Sequence, residues 1–333
     1  MLYRAVPEID AVYCWADSSD PEFASSLAER RRQYEASEIT RPEPDSVGRN
    51  RFRSLDNLRY SLRSLEKHAP WFRKIFIVTN GQKPAWLSPM SRVEIVTTAD
   101  IFPDKQDLPS FNATAIEWQL HRIAGLARYF VFMNDDYFFT RPTPARFFFG
   151  LNGESRLMFA PYKLKREADD TAWERLMLNQ VRMLDAAFGP KPWLQPAHGP
   201  FIYDQNALAR IRDLWSAEIM QTSRHPFRAP TDVHMQFLYA NGIKALESHG
   251  LPFRRHRPSV LQNRQLRFVP VGNPNTSWER QLERARLRPA NLLCLNDDCP
   301  LEDFAPVEEA HRSFLEEMFP APSAHEAAPV ALV

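Results

Sequence analysis

The sequence predicts an α/β fold: a mostly parallel, twisted sheet with flanking helices, followed by a mostly helical C-terminal half. Three observations carry this. Short β-prone apolar runs alternate with helical periodicity through about the first 150 residues. Polar acids and amides stand just past the ends of several of these runs. After Phe147 the strand signals give way to helical ones.

Residues 9–15 (IDAVYCW) read as the first strand, and Asp17 to Pro21 as a polar turn. A helix is expected over residues 21–37, then a Pro- and charge-rich loop over 40–49. Ser54 is the expected N-cap of a helix whose Leu55, Leu58, Leu62 and Leu65 fall at helical spacing, with Pro70 as its stop. Residues 74–79 and 93–97 read as strands, 111–126 as a helix, and 129–133 (YFVFM) as a fourth strand running into Asn134-Asp135-Asp136. Strand and helix alternating in this order imply parallel pairing, and ligands then bind beyond the carboxyl ends of the strands. Asp17, Asn80 and Asn134 to Asp136 all stand there. Further on, residues 160–190, 208–220 and 232–240 read as helices. Residues 250–290 are Arg- and Pro-rich and read as irregular, and the tail over 321–333 is expected to fray.

Composition narrows the class. Apolar residues are 44% and charged residues 25%, so a sizeable core is expected. A net charge of +1 gives no global pull toward nucleic acid. Three cysteines without a CxxC motif suit structural thiols in a reducing compartment; a Cys294–Cys299 pair is the local alternative. The N-terminus lacks the apolar core of a signal peptide, and no apolar run is long enough to span a bilayer, so the expected address is cytoplasmic. With ten glycines, no GxGxxG, no P-loop and no GxSxG, dinucleotide, Walker and hydrolase sites are disfavoured.

The residues that could carry chemistry are few. If the fourth strand continued through the triplet, Asn134 and Asp136 would share one face and Asp135 the other. Oxygen ligands so placed suit a hard divalent cation on a diphosphate; an Asx turn is the plainer reading. Asn296-Asp297-Asp298 repeats the triplet. Arg49, Arg51 and Arg53 alternate before a helix, where guanidinium forks and the helix dipole favour phosphate; Arg228 is a second candidate. A solvated basic loop is the alternative. His198, between Ala197 and Gly199-Pro200, is a candidate general base. Glu117 and His121, four apart on one helical face, are too few for a zinc site.

These segments resemble, in order and spacing, the four conserved regions of Stealth proteins. The blocks are IDAVYCWADSSDP (9–21), the stretch from RFRSLDNLRYSLRSLEKHAPWF to NDD (51–136), AHGPFIYD to FRAPTDVHMQF (197–237), and LLCLNDDCPLED to MFPAPSAHE (292–326). The resemblance implies a nucleotide-sugar-transferase-like fold in one catalytic domain over 1–320, with 9–150 forming the α/β half and 151–320 completing the site. It implies transfer of a hexose-1-phosphate from a UDP-sugar to a glycan hydroxyl, with release of UMP, in capsule or exopolysaccharide synthesis. It places Mg²⁺ or Mn²⁺ at Asp136, Asn296 and Asp297, the base at His198, and phosphate-binding arginines at Arg53 and Arg228. Asp10, Trp15, Asp17, Arg51, Asn80, Glu117, Asn134 and Asp232 would bind substrate. A membrane polysaccharide assembly is a candidate peripheral partner. Cys14, Ala16, Ser18 and Ala113 depart from the usual pattern and bear on which donor sugar fits. A glycosyltransferase that releases UDP, or a non-catalytic carbohydrate binder, are the rival readings.

Overall fold

The computed structural model describes residues 7–36, 52–150, 154–164, 167, 172–247, 265–299 and 304–327. Its main sheet contains β1 (Ile9–Cys14), β2 (Ile75–Thr79), β3 (Val93–Thr97), β4 (Tyr129–Asn134) and β8 (Phe201–Asp204), in the order β3-β2-β1-β4-β8. The first four strands pair in parallel and β8 is antiparallel to β4. Central β1, β2 and β4 are almost wholly buried, as expected of apolar runs covered on both faces. A second sheet has the order β5-β10-β9, from β5 (Tyr137–Phe139), β9 (Leu266–Val271) and β10 (Leu292–Asp297). β6 (Phe159–Lys163) and β7 (Leu194–Pro196) form a two-stranded ribbon.

The helices are α1 (Pro21–Ala36), α2 (Asn57–His68), α3 (Thr98–Ile101), α4 (Ala113–Glu117), α5 (Ala172–Phe188), α6 (Gln205–Leu214), α7 (Ser216–Arg224), α8 (Met235–Glu247), α9 (Trp278–Leu287) and α10 (Phe304–Met318). None among the described residues is long and apolar enough to cross a membrane. The α/β alternation of the first half and the helical weight of the second match the expectation from sequence. None of the three cysteines forms a disulfide.

Several local expectations fail, each for a physical reason. Helix α2 starts three residues after Ser54, behind Asp56, whose φ of 59° is left-handed. The helix expected over 111–126 breaks after Glu117 and resumes as a 3₁₀ turn at Leu120–Arg122. Trp118 and Leu120 are both fully buried, and residues two apart lie on opposite sides of an α-helix. Residues 266–271 and 278–287, read as irregular, are β9 and α9. Pro270 is tolerated because β9 is an edge strand. Trp278, Leu282 and Ala285 give α9 its buried stripe. The tail does not fray up to Ala327. Glu326, nearly inaccessible, takes ion pairs from Arg59 and Arg63, and Ala327 N donates to the Trp86 carbonyl.

Asp10 is another correction. It sits near the start of β1, away from the strand ends where ligands bind, and is fully buried. Its carboxylate accepts from Arg73 Nε (3.0 Å) and Nη2 (2.7 Å), and from the backbone N–H of Lys74 (3.1 Å) and Ala127 (2.7 Å). These contacts tie β1, the entrance to β2 and the approach to β4 together. Asp10 therefore holds the sheet and does not touch substrate. Asp10→Ala leaves two backbone amides and part of the Arg73 fork without their acceptor, and is expected to cost about 3 kcal/mol in a urea-denaturation measurement.

Candidate active site

The two sheets meet where β4 ends. Asn134 closes β4, Asp135 and Asp136 form a turn, and Tyr137 opens β5. The alternation argument for Asp136 therefore does not apply, because the strand stops before it. Asp136 is placed instead by the second sheet: its carbonyl accepts from Leu295 N (3.0 Å), and its Oδ2 lies 3.6 Å from the Cys294 Sγ–H that donates to it. Asp136 Oδ1 is buried with no hydrogen-bond partner.

In the second sheet Tyr137, Cys294 and Phe268 are direct cross-strand partners and form one row. Alternation puts Asn296 on the same face and Asp297 on the other. His198 stands against this row. Its ring meets Tyr137 at 5.5 Å and Phe268 at 5.6 Å, edge to face in both cases. The link carrying it, between β7 and β8, runs close to β9: a Cβ at Gly199 would come within 2.8 Å of Leu266. Asp136, His198 and Cys294 bring one ligand atom each within 4.8 Å of one another.

A second group approaches from the helices. Asn112 caps α4 by accepting from Thr114 N, and donates to Asp232 Oδ2 at 2.7 Å. Asp232 also accepts from Ala229 N and lies 2.6 Å from His225 Nδ1. Fully buried and fully engaged, Asp232 does not bind substrate as expected. It fastens the loop that carries Arg228 to the helix that carries Glu117. Asn80 is likewise committed, donating to the Ser110 carbonyl and accepting from Thr98 Oγ1. Asn134 donates to the Tyr137 hydroxyl. Asp17 anchors its loop through Gln82 and Ser19, and Trp15 Nε1 is buried without a partner. Arg51 lies outside the described residues.

Burial dominates the electrostatics. Glu117 is raised to about 7 by burial, against the nearby positive charge of Arg228. Asp135 is raised to about 6, mainly by burial and also by Asp297 and Asp17. Asp136 is held well above the usual carboxylate range by burial and by Asp135. Burial next to Arg228 and His198 lowers His234 to about 3, so it is neutral at pH 7. Burial favours the neutral acids, whereas the mutual repulsion of Asp135 and Asp136 is what a cation would relieve.

The expected metal set is rearranged. Both oxygens of Asp297 accept from Arg53, from Nη2 at 2.6 and 2.5 Å and from Nε at 2.9 Å. Asp297 is thus paired with Arg53, while still acting electrostatically on Asp135 and Asp136. The donor set nonetheless fits a divalent cation, because Asp136 Oδ1 is an orphaned buried oxygen beside a second acid, with Asn296 on the adjoining face. Arg53 keeps Nη1 buried without a partner, and its guanidinium lies 3.5 Å from the Phe304 ring centroid. Sequence reasoning missed Cys294, Tyr137, His234 and Phe268. Alternation along LLCLND was a usable signal for Cys294, two residues before Asn296; nothing local marked Phe268.

Fold and site together define an α/β protein with an acid-imidazole centre at the carboxyl ends of its strands. The chain belongs to the Stealth family: residues 51–157 match conserved region 2 of the Stealth proteins and residues 197–241 match conserved region 3. It is 32% identical to an exopolysaccharide phosphotransferase of Streptomyces coelicolor, over 97% of this chain and 54% of that one. It is 31% identical to the exopolysaccharide phosphotransferase CpsY of Mycobacterium tuberculosis, over 96% of this chain and 58% of that one. The chain spans about half the length of these curated relatives. Among solved structures it overlaps the galactosyltransferase LgtC, bound to donor and acceptor sugar analogs, with a TM-score of 0.45 at 12% identity, over 96% and 97% of the two chains.

Proposed function

We propose that this protein transfers a hexose-1-phosphate from a UDP-sugar to a glycan hydroxyl during capsule or exopolysaccharide synthesis. The observation that carries the reading is His198 beside the orphaned Asp136 oxygen, on a site whose acids are raised by burial. The names of the similar phosphotransferases support the same class.

In this reading His198 takes the proton of the acceptor hydroxyl. The freed oxygen bonds to the β-phosphorus, the bond from that phosphorus to the bridging oxygen breaks, and UMP leaves. A sugar-phosphate-glycan diester remains. Arg228 and the spare Nη1 of Arg53 are the cationic groups for the phosphates, and Glu117 orients Arg228 and the donor sugar. Trp15 and Asp17 flank the nucleotide, with the Trp15 indole N–H as an available donor. Asp136, Asn296 and Asp135 would hold Mg²⁺ or Mn²⁺, which would supply charge neutralisation on the diphosphate.

Incubation of the protein with a panel of UDP-hexoses, divalent metal and glycan acceptors tests this. Phosphorus NMR is expected to show UMP and a new diester resonance growing together. Release of UDP with no diester would assign the chain to conventional glycosyl transfer instead.

A further inference from the structure

Phe268 is 44% exposed and Trp173 is 41% exposed. Both stand at the candidate site. Phe268 is the cross-strand neighbour of Cys294, and its ring packs against His198 at 5.6 Å. Trp173, in the first turn of α5, packs against His234 at 5.7 Å, and His234 feels the charges of both Arg228 and His198. One half-open ring, Phe268, therefore packs on the imidazole that faces the acceptor in the proposed reaction, and the other, Trp173, packs on the neighbouring His234.

We infer that Phe268, with Trp173 as a second wall, forms a stacking platform for the sugar ring of a neutral glycan acceptor. The chemistry follows from the surface. The C–H-bearing face of a hexopyranose is apolar and flat enough to lie on an aromatic ring, while its rim hydroxyls stay available for hydrogen bonds. A ring laid on Phe268 would bring a rim hydroxyl toward His198, which Phe268 itself touches. An aromatic platform also tolerates several hexoses, because it reads the face and not each hydroxyl. This inference rests on the transferase reading only for the role of acceptor; saccharide binding is scored independently.

The test uses the full chain, Phe268→Leu, Phe268→Trp and Trp173→Ala. Saturation-transfer NMR is recorded with trisaccharides of glucose, galactose and mannose, and separately with UDP-glucose and UDP-galactose. At least one trisaccharide is expected to bind, with transfer strongest to the C–H protons of one ring face. Phe268→Leu keeps apolar bulk but loses the flat face, and is expected to weaken that binding roughly fivefold to tenfold. Phe268→Trp is expected to retain or improve it, and Trp173→Ala to weaken it. UDP-sugar binding is expected to stay within about twofold of wild type in the two Phe268 variants, an allowance that also covers small effects on folding. Absence of transfer to every trisaccharide in the wild type overturns the platform. So does a Phe268→Leu variant whose trisaccharide affinity is unchanged while turnover falls, because Phe268 would then only position His198. UDP release in the phosphorus assay would defeat the phosphotransfer reading and leave these binding results standing.

Discussion

His198→Ala is expected to lower turnover by ~10²–10⁴-fold, the usual contribution of one general base, with UDP-sugar affinity nearly unchanged. The melting temperature should move little. The side chain is exposed, and it rests on Tyr137 and Phe268 without closing the core. A fall in donor affinity matching the fall in turnover would show that His198 binds the donor and does not take a proton. Asp136→Asn separates the two halves of the centre. It removes the charge beside His198 while preserving shape, so its effect should grow steeply as divalent metal is withdrawn, whereas that of His198→Ala should not.

The sequence made much of this site legible and left out the part that depends on a second sheet. The parallel strands could be read because β1, β2 and β4 are continuous apolar runs, and Asn134 to Asp136 stand at the end of one of them. Glu117, His198 and Arg228 were recoverable from motif resemblance, and the structure brings Glu117 to Arg228 and His198 to Asp136. What failed is instructive. Asp10 and Asp232 looked like ligand-binding acids, yet each is fully buried and saturated by donors from distant segments, which no local pattern reveals. Asp297 looked like a metal ligand from its triplet, and its pairing with Arg53, 244 residues away in sequence, was invisible locally. β9 was obscured by its arginine and proline. Its edge position explains why Pro270 is tolerated, and only the pairing with β10 brings Phe268 beside His198.

In the proposed reaction, Glu117 is where function and stability pull in opposite directions. Its folded-state value of about 7 lies above the ordinary 4.5, chiefly because it is buried, and Arg228 only partly offsets this. The folded chain therefore holds this proton to higher pH than the unfolded chain does. Its contribution to stability is complete below about pH 4.5, erodes as pH rises to about 7, and is gone above that. That gap corresponds to a loss on the order of 3 kcal/mol. Glu117→Gln, neutral and nearly the same shape, cannot incur it. The variant is expected to be more stable than the wild type at pH 8 by a few kcal/mol, to match it near pH 4.5, and to lack the intervening slope in urea-denaturation midpoints. It should also lose activity at pH 8, about tenfold or more, mainly through weaker donor binding, because the ionised carboxylate that faces Arg228 is absent. A variant that is both less stable and less active would mean Glu117 serves the fold. Opposite signs would mark a buried acid retained for its charge, as the proposed reaction requires of a carboxylate that orients Arg228 toward a phosphate.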